Sequence, residues 1–407
     1  MAVLVRRVRL VRRARLRSRN RPGGAADGRA GRAEPPASRR GSGTEGGPCG
    51  GGGTRPHRPR HGASGRDLLP SGRGRWSRVR TDRVRQPTPS LRRRLRGPRR
   101  GRPAATGVLR QVAADFRVDE ELGFGPTGSG EHLYLRVRCE ERTTTQAQAV
   151  LARCFGVAAM DVGYAGMKDR HAVTRQWFSV RAPGLDSAVP DDPRVVIEAR
   201  MRHERKLRPG DHRANSFAIV VRDVRGDWRE NLEHLAERGF PNYFGEQRFG
   251  RCGGNIPKAL AWVRAGRPPC RRFVRALHIS TLRAQIFNDV LGLRVQDGSW
   301  RTVLDGDPAA CGGAECSPTG PLWGRGLSLA AATTLALEQA VLARHLDATE
   351  ALEFTGSRQA RRALVAVPED LVWEQVGANL HLRFTLPPGA YATRLLAEVV
   401  ARPGAEP

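Results

Sequence analysis

The chain has 407 residues and a formal charge of +30. Residues 1–100 hold 29 Arg, no Lys and five acids, so that quarter carries +24 and the other 307 residues only +6. With 17 Gly, 10 Pro and a single aromatic, Trp76, the same quarter lacks the apolar surface that would offset the entropy of ordering, and residues 1–103 are expected to be a disordered tail. Three readings of its Arg-rich start stay open: a nucleic-acid-binding arm, a transit peptide, or upstream sequence translated from a misassigned start.

No run approaches the ~18 consecutive apolar residues of a membrane span, and no apolar core follows the basic start as in a secretory signal. These features predict a cytoplasmic protein with no membrane partner. Seven scattered Cys without a CxxC pair argue against a disulfide framework or a zinc site, so reduced thiols are expected. Only three Lys (Lys168, Lys206, Lys258) stand against 67 Arg, a skew that a GC-rich genome produces without any functional demand.

From about Gly107 the pattern becomes that of a folded protein. Segments 115–120 and 132–138 alternate as half-buried strands on either side of the Gly-rich turn GPTGSG (125–130), which predicts a hairpin. Thr145 and Gln148 have capping-box spacing for a helix through Phe155, with Gly156 as its stop. Strands are expected at 162–164, 176–180, 195–199 and 216–221, and a helix at 227–238 ended by Gly239. Helices follow at 257–264, 281–293 and 328–345, with 305–324 read as loop. Segment 380–386 alternates as a strand, and a helix is expected at 392–400. The order is an α+β progression with a mostly helical segment inserted into it.

Three segments could carry chemistry. In GYAGMKDRHAVTRQW (163–177) a glycine and two small residues lead out of a strand, and Asp169 sits between Lys168 and Arg170. Flanking positive charge favours the ionised carboxylate, suited to act as nucleophile or base on a strand-connecting loop. A solvated turn with local ion pairing would read the same way. RKLRPGDHRANSF (205–217) brings Lys206, Arg208 and further cations to Asn215 and Phe217 at the head of a strand. These are the parts of single-stranded RNA recognition: phosphate contacts, an amide for a base edge and a ring for stacking. Phe217 could equally begin the core side of the strand. GFPNYFGEQRFGR (239–251) reads either as a rigid functional turn or as a hinge between domains. No GxxxxGK[ST], HExxH or GxSxG occurs, and nothing points to ATP, zinc or a dinucleotide.

Taken together, GYAGMKDRHAVTRQWFSV, the KLR…NSF segment and GFPNYFGEQRFGR, with DFRVDEELGF ahead and LPPGAYATRLL behind, resemble the TruD family of tRNA pseudouridine synthases over about residues 108–400. The resemblance implies an α+β protein. A pseudouridine synthase catalytic fold, with a mixed, largely antiparallel sheet and helices, would be interrupted by a TruD-type α/β insertion domain. It would place the catalytic domain at 104–238 and 363–407 and the insertion at 239–362. It puts the catalytic aspartate on Asp169, the aromatic that packs on the target base on Phe217, the nearby amide on Asn215 and a basic partner on Arg110. Lys168, Arg170, Lys206 and Arg208 are then candidate substrate contacts.

The implied reaction turns a uridine of tRNA, uridine 13 in the D-arm, into pseudouridine without cofactor or metal, and requires no protein partner. The sequence departs from the family pattern in four places. Arg110 stands for the usual Lys, Cys139 occupies a position where Lys is expected, Ala214 replaces the glycine before the asparagine, and the 305–324 loop is short. A non-catalytic RNA-binding protein of the same fold is the alternative reading. A basic chaperone driven by the tail is a third.

Overall fold

The computed structural model describes residues 103, 105–181, 187–266, 271–308, 310–312 and 315–401; the Arg-rich tail and its three readings lie outside them. Strands β1 (Ala105–Leu109), β2 (Phe116–Leu122) and β3 (His132–Glu140) come first, followed by helix α1 (Thr144–Cys154). Then come β4 (Gly163–Tyr164), β5 (Val173–Arg181), β6 (Val195–His203), β7 (His212–Arg225) and α2 (Arg229–Arg238).

The chain continues through β8 (Phe240–Pro241), α3 (Glu246–Phe249), α4 (Asn255–Ala265), α5 (Arg272–Gln296), β9 (Ala310–Gly312), β10 (Glu315–Ser317) and β11 (Thr319–Leu322). Helices α6 (Ala332–Leu342) and α7 (Leu346–Glu353) lead to β12 (Ala360–Ala363) and β13 (Val365–Ala366). Strands β14 (Glu369–Val376) and β15 (Asn379–Leu386), helix α8 (Ala392–Val399) and β16 (Val400–Ala401) complete it.

Ten of these strands form one mixed sheet with the central order β14-β15-β7-β2-β5-β3-β6; β1, β4 and β16 attach beside it. Pairing is antiparallel except for β2 with β5 and β1 with β16. Period-2 alternation sends one set of side chains to each face. On one face Phe116, Val118, Ile219, Leu382 and Phe384 pack under Leu232 and Leu235 of α2 and Leu395, Leu396 and Val399 of α8. On the same face Leu135, Val137, Cys139 and Phe178 pack under Val150 and Leu151 of α1. The opposite face carries a lattice of exposed and half-buried charges in which Arg136 meets Asp119 and Arg175 meets both Asp119 and Glu198.

The expected hairpin does not form. β5 lies between β2 and β3, parallel to the first and antiparallel to the second, and the nine-residue Gly-containing connection 123–131 spans the gap. The capping box also sits two residues earlier than expected. The Thr143 side chain accepts from the Gln146 amide and the Gln146 carboxamide accepts from the Thr143 amide. Gln148 instead donates to the carbonyls of Ala159 and Val162, bracing the turn that leads into β4.

Between β8 and β13 no described residue joins the large sheet. Helix α5, about 38 Å long at 1.5 Å per residue, is the spine of this part. Its Phe287, Leu291 and Val295 pack with Trp300 and Leu364, and its Leu282 and Ile286 with Ala259, Leu342 and Leu352. The helix expected at 328–345 is the shorter α6, ending at Leu342; the separate α7 starts just after His345, whose ring reaches Asp289 of α5 at 2.8 Å. The stretch 305–324 is not plain loop. It carries β9 to β11 and is tied inward by Asp307, fully buried against Arg294 at 3.2 Å, with Arg361 bonded in turn to Glu338 at 2.7 Å. Cys316 is disulfide-bonded, contrary to the expectation of reduced thiols; its strand pairs it with Cys311 across a two-strand ribbon. Cys139, Cys154 and Cys252 are free.

Candidate active site

Strand register decides which side chains share the centre of the helix-covered face. Val118, Phe217 and Phe384 lie in one row and Glu120, Asn215 and Leu386 in the next. Thr174 pairs with Val118 from the other side, so Gln176, two residues on, continues the second row. The loop between β4 and β5, residues 165–172, is tied to the second row through Lys168, which bonds Glu120.

Asp169 is on that loop with its side chain 23% exposed, and its Oδ2 accepts from Arg110 Nη2 at 2.7 Å. Its cationic partner therefore comes from 59 residues upstream rather than from its sequence neighbours. Arg110, at the end of β1, has φ of 59°, a left-handed conformation that is costly for a side-chain-bearing residue and is tolerated where surrounding contacts enforce it. Those contacts are the carboxylate and the Phe116 ring, over which the guanidinium sits at 4.0 Å. Phe116 meets Phe217 edge-on at 6.1 Å, and Phe217 stacks on Phe384 at 5.2 Å. An unbroken line of contacts thus joins Asp169 to Phe217 through Arg110. Phe116 and Phe384 are buried, whereas Phe217 remains half-buried.

Asn215, in the row beside Phe217, has its amide oxygen buried with no hydrogen-bond partner among the described residues. An acceptor in that state is costly unless a ligand supplies a donor. Uracil N3–H is one such donor. Ala214 lies in extended backbone within β7 and needs no glycine. Cys139 is buried in the α1 core, where desolvation raises its thiol to about 12, so that position offers no phosphate contact.

Lys168 does not face solvent as a phosphate contact would. Its side chain is 6% exposed and its ammonium bonds Glu120, whose side chain is completely buried. Glu120 also accepts from the Trp177 amide at 3.0 Å, and the Lys168 amide donates to Thr144 Oγ1 at 2.8 Å. The residue before Asp169 is thus an anchor that holds the loop to β2, β5 and α1. Gly166 is required by the same anchor, because a Cβ there would stand 2.8 Å from the Lys168 ammonium and 2.9 Å from the Glu120 carboxylate. His212 lies against the pair with Nδ1 buried and unpartnered among the described residues, and burial holds its imidazole below its ordinary pKa.

Arg170 and Arg208 are exposed, and Lys206 is half-buried and donates to the Met160 carbonyl at 2.5 Å. The Gly210 amide donates to the Ala165 carbonyl at 2.8 Å, which brings the 205–211 turn beside the Asp169 loop. Arg170 and Arg208 thus remain solvent-facing cations near the cleft, while Lys206 spends its charge on the protein. Sequence reasoning missed two neighbours of the site. Glu120 was read only as part of an alternating strand. Gln247 of α3, whose side-chain amide donates to Asp169 Oδ1, lies in the 239–251 segment, which reads as a rigid functional turn or a hinge without singling this residue out. Acidity at an inward-facing position of β2 was the available signal for Glu120; no local signal marked Gln247.

The family profile "tRNA pseudouridine synthase D (TruD)" matches residues 100–256 and 308–399. The chain belongs to the TruD family. It is 40% identical over 333 residues to the tRNA pseudouridine synthase D of Pseudomonas entomophila, covering 75% of this chain and 95% of that protein. It is likewise 40% identical over 328 residues to that of Nitrosococcus oceani, covering 73% and 91%. A solved TruD structure from Methanosarcina mazei superimposes with a TM-score of 0.54 at 19% identity, covering 77% of this chain and 98% of the other, which shows the shared TruD fold. The two matched stretches leave out 257–307, the part of the chain that holds most of α4 and α5. Among the described residues no helix is long and apolar enough to cross a membrane.

Proposed function

We propose that this protein isomerises a uridine of tRNA to pseudouridine in the cleft between the two cores, with Asp169 as the catalytic carboxylate. The observation that carries this reading is the Arg110-held carboxylate, joined by contacts through Phe116 to a half-buried Phe217, in the row beside an Asn215 whose amide oxygen has no partner among the described residues. A base flipped out of folded RNA would stack on Phe217 and give its N3–H to Asn215, contacts that offset the few kcal/mol of unstacking.

The reaction breaks the N1–C1′ bond, turns the uracil and forms C5–C1′; the C5 proton leaves and N1 gains one. Substrate and product have the same atoms and oxidation state, so no redox or group-transfer cofactor enters the balance. Asp169 serves by adding to C1′ or by taking the 2′ proton on a glycal route. Arg110 orients the carboxylate and balances its charge. Lys168 and Glu120 fix the loop, and Arg170 and Arg208 are placed to meet phosphates at the rim. By resemblance to the family the target is uridine 13 in the D-arm, and the catalytic fold is split by an insertion at about 239–362.

Tritium release from tRNA transcripts carrying [5-3H]uridine tests this reading. Release is expected from a transcript with uridine 13 and not from one with cytidine there. Release from both would move the target elsewhere. Tight tRNA binding with no release from either would establish the alternative, an RNA-binding protein of this fold without activity.

A further inference from the structure

The catalytic carboxylate has a second partner that comes from outside the catalytic sheet. The segment 240–251 folds as an aromatic bracket. Tyr243 and Phe249 are buried, and the Asn288 side chain of α5 bonds both the amide (2.8 Å) and the carbonyl (3.1 Å) of Phe244. Arg362 stacks over the Phe244 ring at 4.2 Å and bonds the Asn242 side-chain oxygen at 2.6 Å. Arg394 of α8 donates to the Phe244 carbonyl at 3.1 Å, tying the bracket to the catalytic core as well. Gly245 permits the close approach, since a Cβ there would stand 2.8 Å from the Tyr391 ring, and Gly250 closes the turn at φ of 75°. What this framework leaves exposed is the tip, Glu246 and Gln247. From it the Gln247 amide reaches Asp169 Oδ1, while Arg110 holds Oδ2.

We propose that Gln247 is a positioning residue for the reaction: it and Arg110 clamp one oxygen each of the Asp169 carboxylate, so that the inserted segment completes the active site. A carboxylate held by one donor rotates about its Cβ–Cγ bond; held by two it presents a fixed plane to the sugar. Because Gln247 is neutral it fixes the plane without adding charge, leaving Arg110 as the counter-charge. The other ionisable groups around the loop include Arg170 and His171 next to Asp169, Arg208 on the adjoining turn, Glu246 and Arg248 on either side of Gln247, and the Lys168–Glu120 pair with His212 against it. The inference rests on Asp169 as the catalytic group, and the experiment separates the two claims.

Gln247→Ala, Gln247→Glu and Asp169→Asn are compared with the parent in single-turnover tritium release, with tRNA affinity and thermal melting measured alongside. For Gln247→Ala, loss of a hydrogen bond to a charged group predicts a fall of about tenfold to hundredfold in the chemical step, with tRNA affinity and melting unchanged. Gln247→Glu keeps the shape but puts a carboxylate against Asp169, so the acidic limb of the rate profile moves to higher pH, and activity lost near neutrality is partly regained as pH rises. An unchanged or faster chemical step in Gln247→Ala, a loss confined to tRNA affinity, or an acidic limb that stays in place in Gln247→Glu would overturn the positioning role. Turnover by Asp169→Asn would remove the parent reading itself, whatever the glutamine variants do.

Discussion

Replacing Lys168 separates an anchor from a substrate contact. Its ammonium lies on a fully buried Glu120 carboxylate, and both side chains are within 6% of complete burial. In Lys168→Ala that carboxylate keeps the Trp177 amide but loses its counter-charge while it remains completely buried. Removing one partner of a buried pair costs about 3–5 kcal/mol, chiefly the desolvation of the charge left behind. At roughly 2 °C per kcal/mol for a folded part of this size, the melting temperature falls by about 6–10 °C. Replacing both members, Lys168→Met with Glu120→Gln, leaves no buried charge and recovers most of the loss. Thermal unfolding of the two single variants and the double variant forms a cycle that isolates the pair. A phosphate-binding lysine behaves differently. Its loss leaves melting in place, weakens tRNA binding and lowers the slope of log affinity against log salt by about one. Melting of Lys168→Ala within about 1 °C of the parent, together with that salt response, would refute the anchor.

Acid stability and base stacking give two further expectations. Burial pushes the Asp115 carboxyl up, but the two-nitrogen contact of Arg222 and the Val112 amide outweigh it and hold it below its ordinary 3.8. A carboxyl with a lowered folded-state pKa stabilises the fold above its unfolded value and loses that contribution as pH falls through the folded one. Asp115→Asn should therefore melt lower than the parent at pH 7, with the difference closing below about pH 4; a difference independent of pH would contradict this. Phe217→Ala removes the stacking ring, worth about 1–3 kcal/mol per base, and is expected to weaken tRNA binding and slow turnover together. Phe217→Ala with both unchanged would take the ring out of the site.

The residues that could be read from sequence are those whose type and order are themselves informative. Asp169, Asn215 and Phe217 stood out because an acid in a small-residue loop and an amide and ring at a strand head are chemically recognisable. Strands β3 and β15 are legible from alternation, and α2 from its acidic start and the glycine that ends it. What failed depends on long-range pairing. The order β2-β5-β3 is set by which strand completes which core, not by the turn at 125–130. The inward turn of Lys168 follows from the burial of Glu120, 48 residues away. Arg110 reaches Asp169 only because a strained backbone and the Phe116 ring aim it there. The 305–324 stretch reads as loop because Gly, Pro and Cys are frequent in it, while the fully buried Asp307 that organises it is one of three acids there, with nothing local to set it apart.

The central claim is that the Asp169 carboxylate performs the isomerisation while the rest of the cleft binds RNA. Asp169→Asn keeps the size and much of the hydrogen bonding of the side chain, so the fold and the Phe217–Asn215 surface should persist. Tritium release from [5-3H]uridine tRNA by this variant, at enzyme in excess over tRNA and alongside a filter-binding measurement, is the direct test. The account predicts tRNA affinity close to that of the parent and no release above background. Release at a substantial fraction of the parent rate would contradict it.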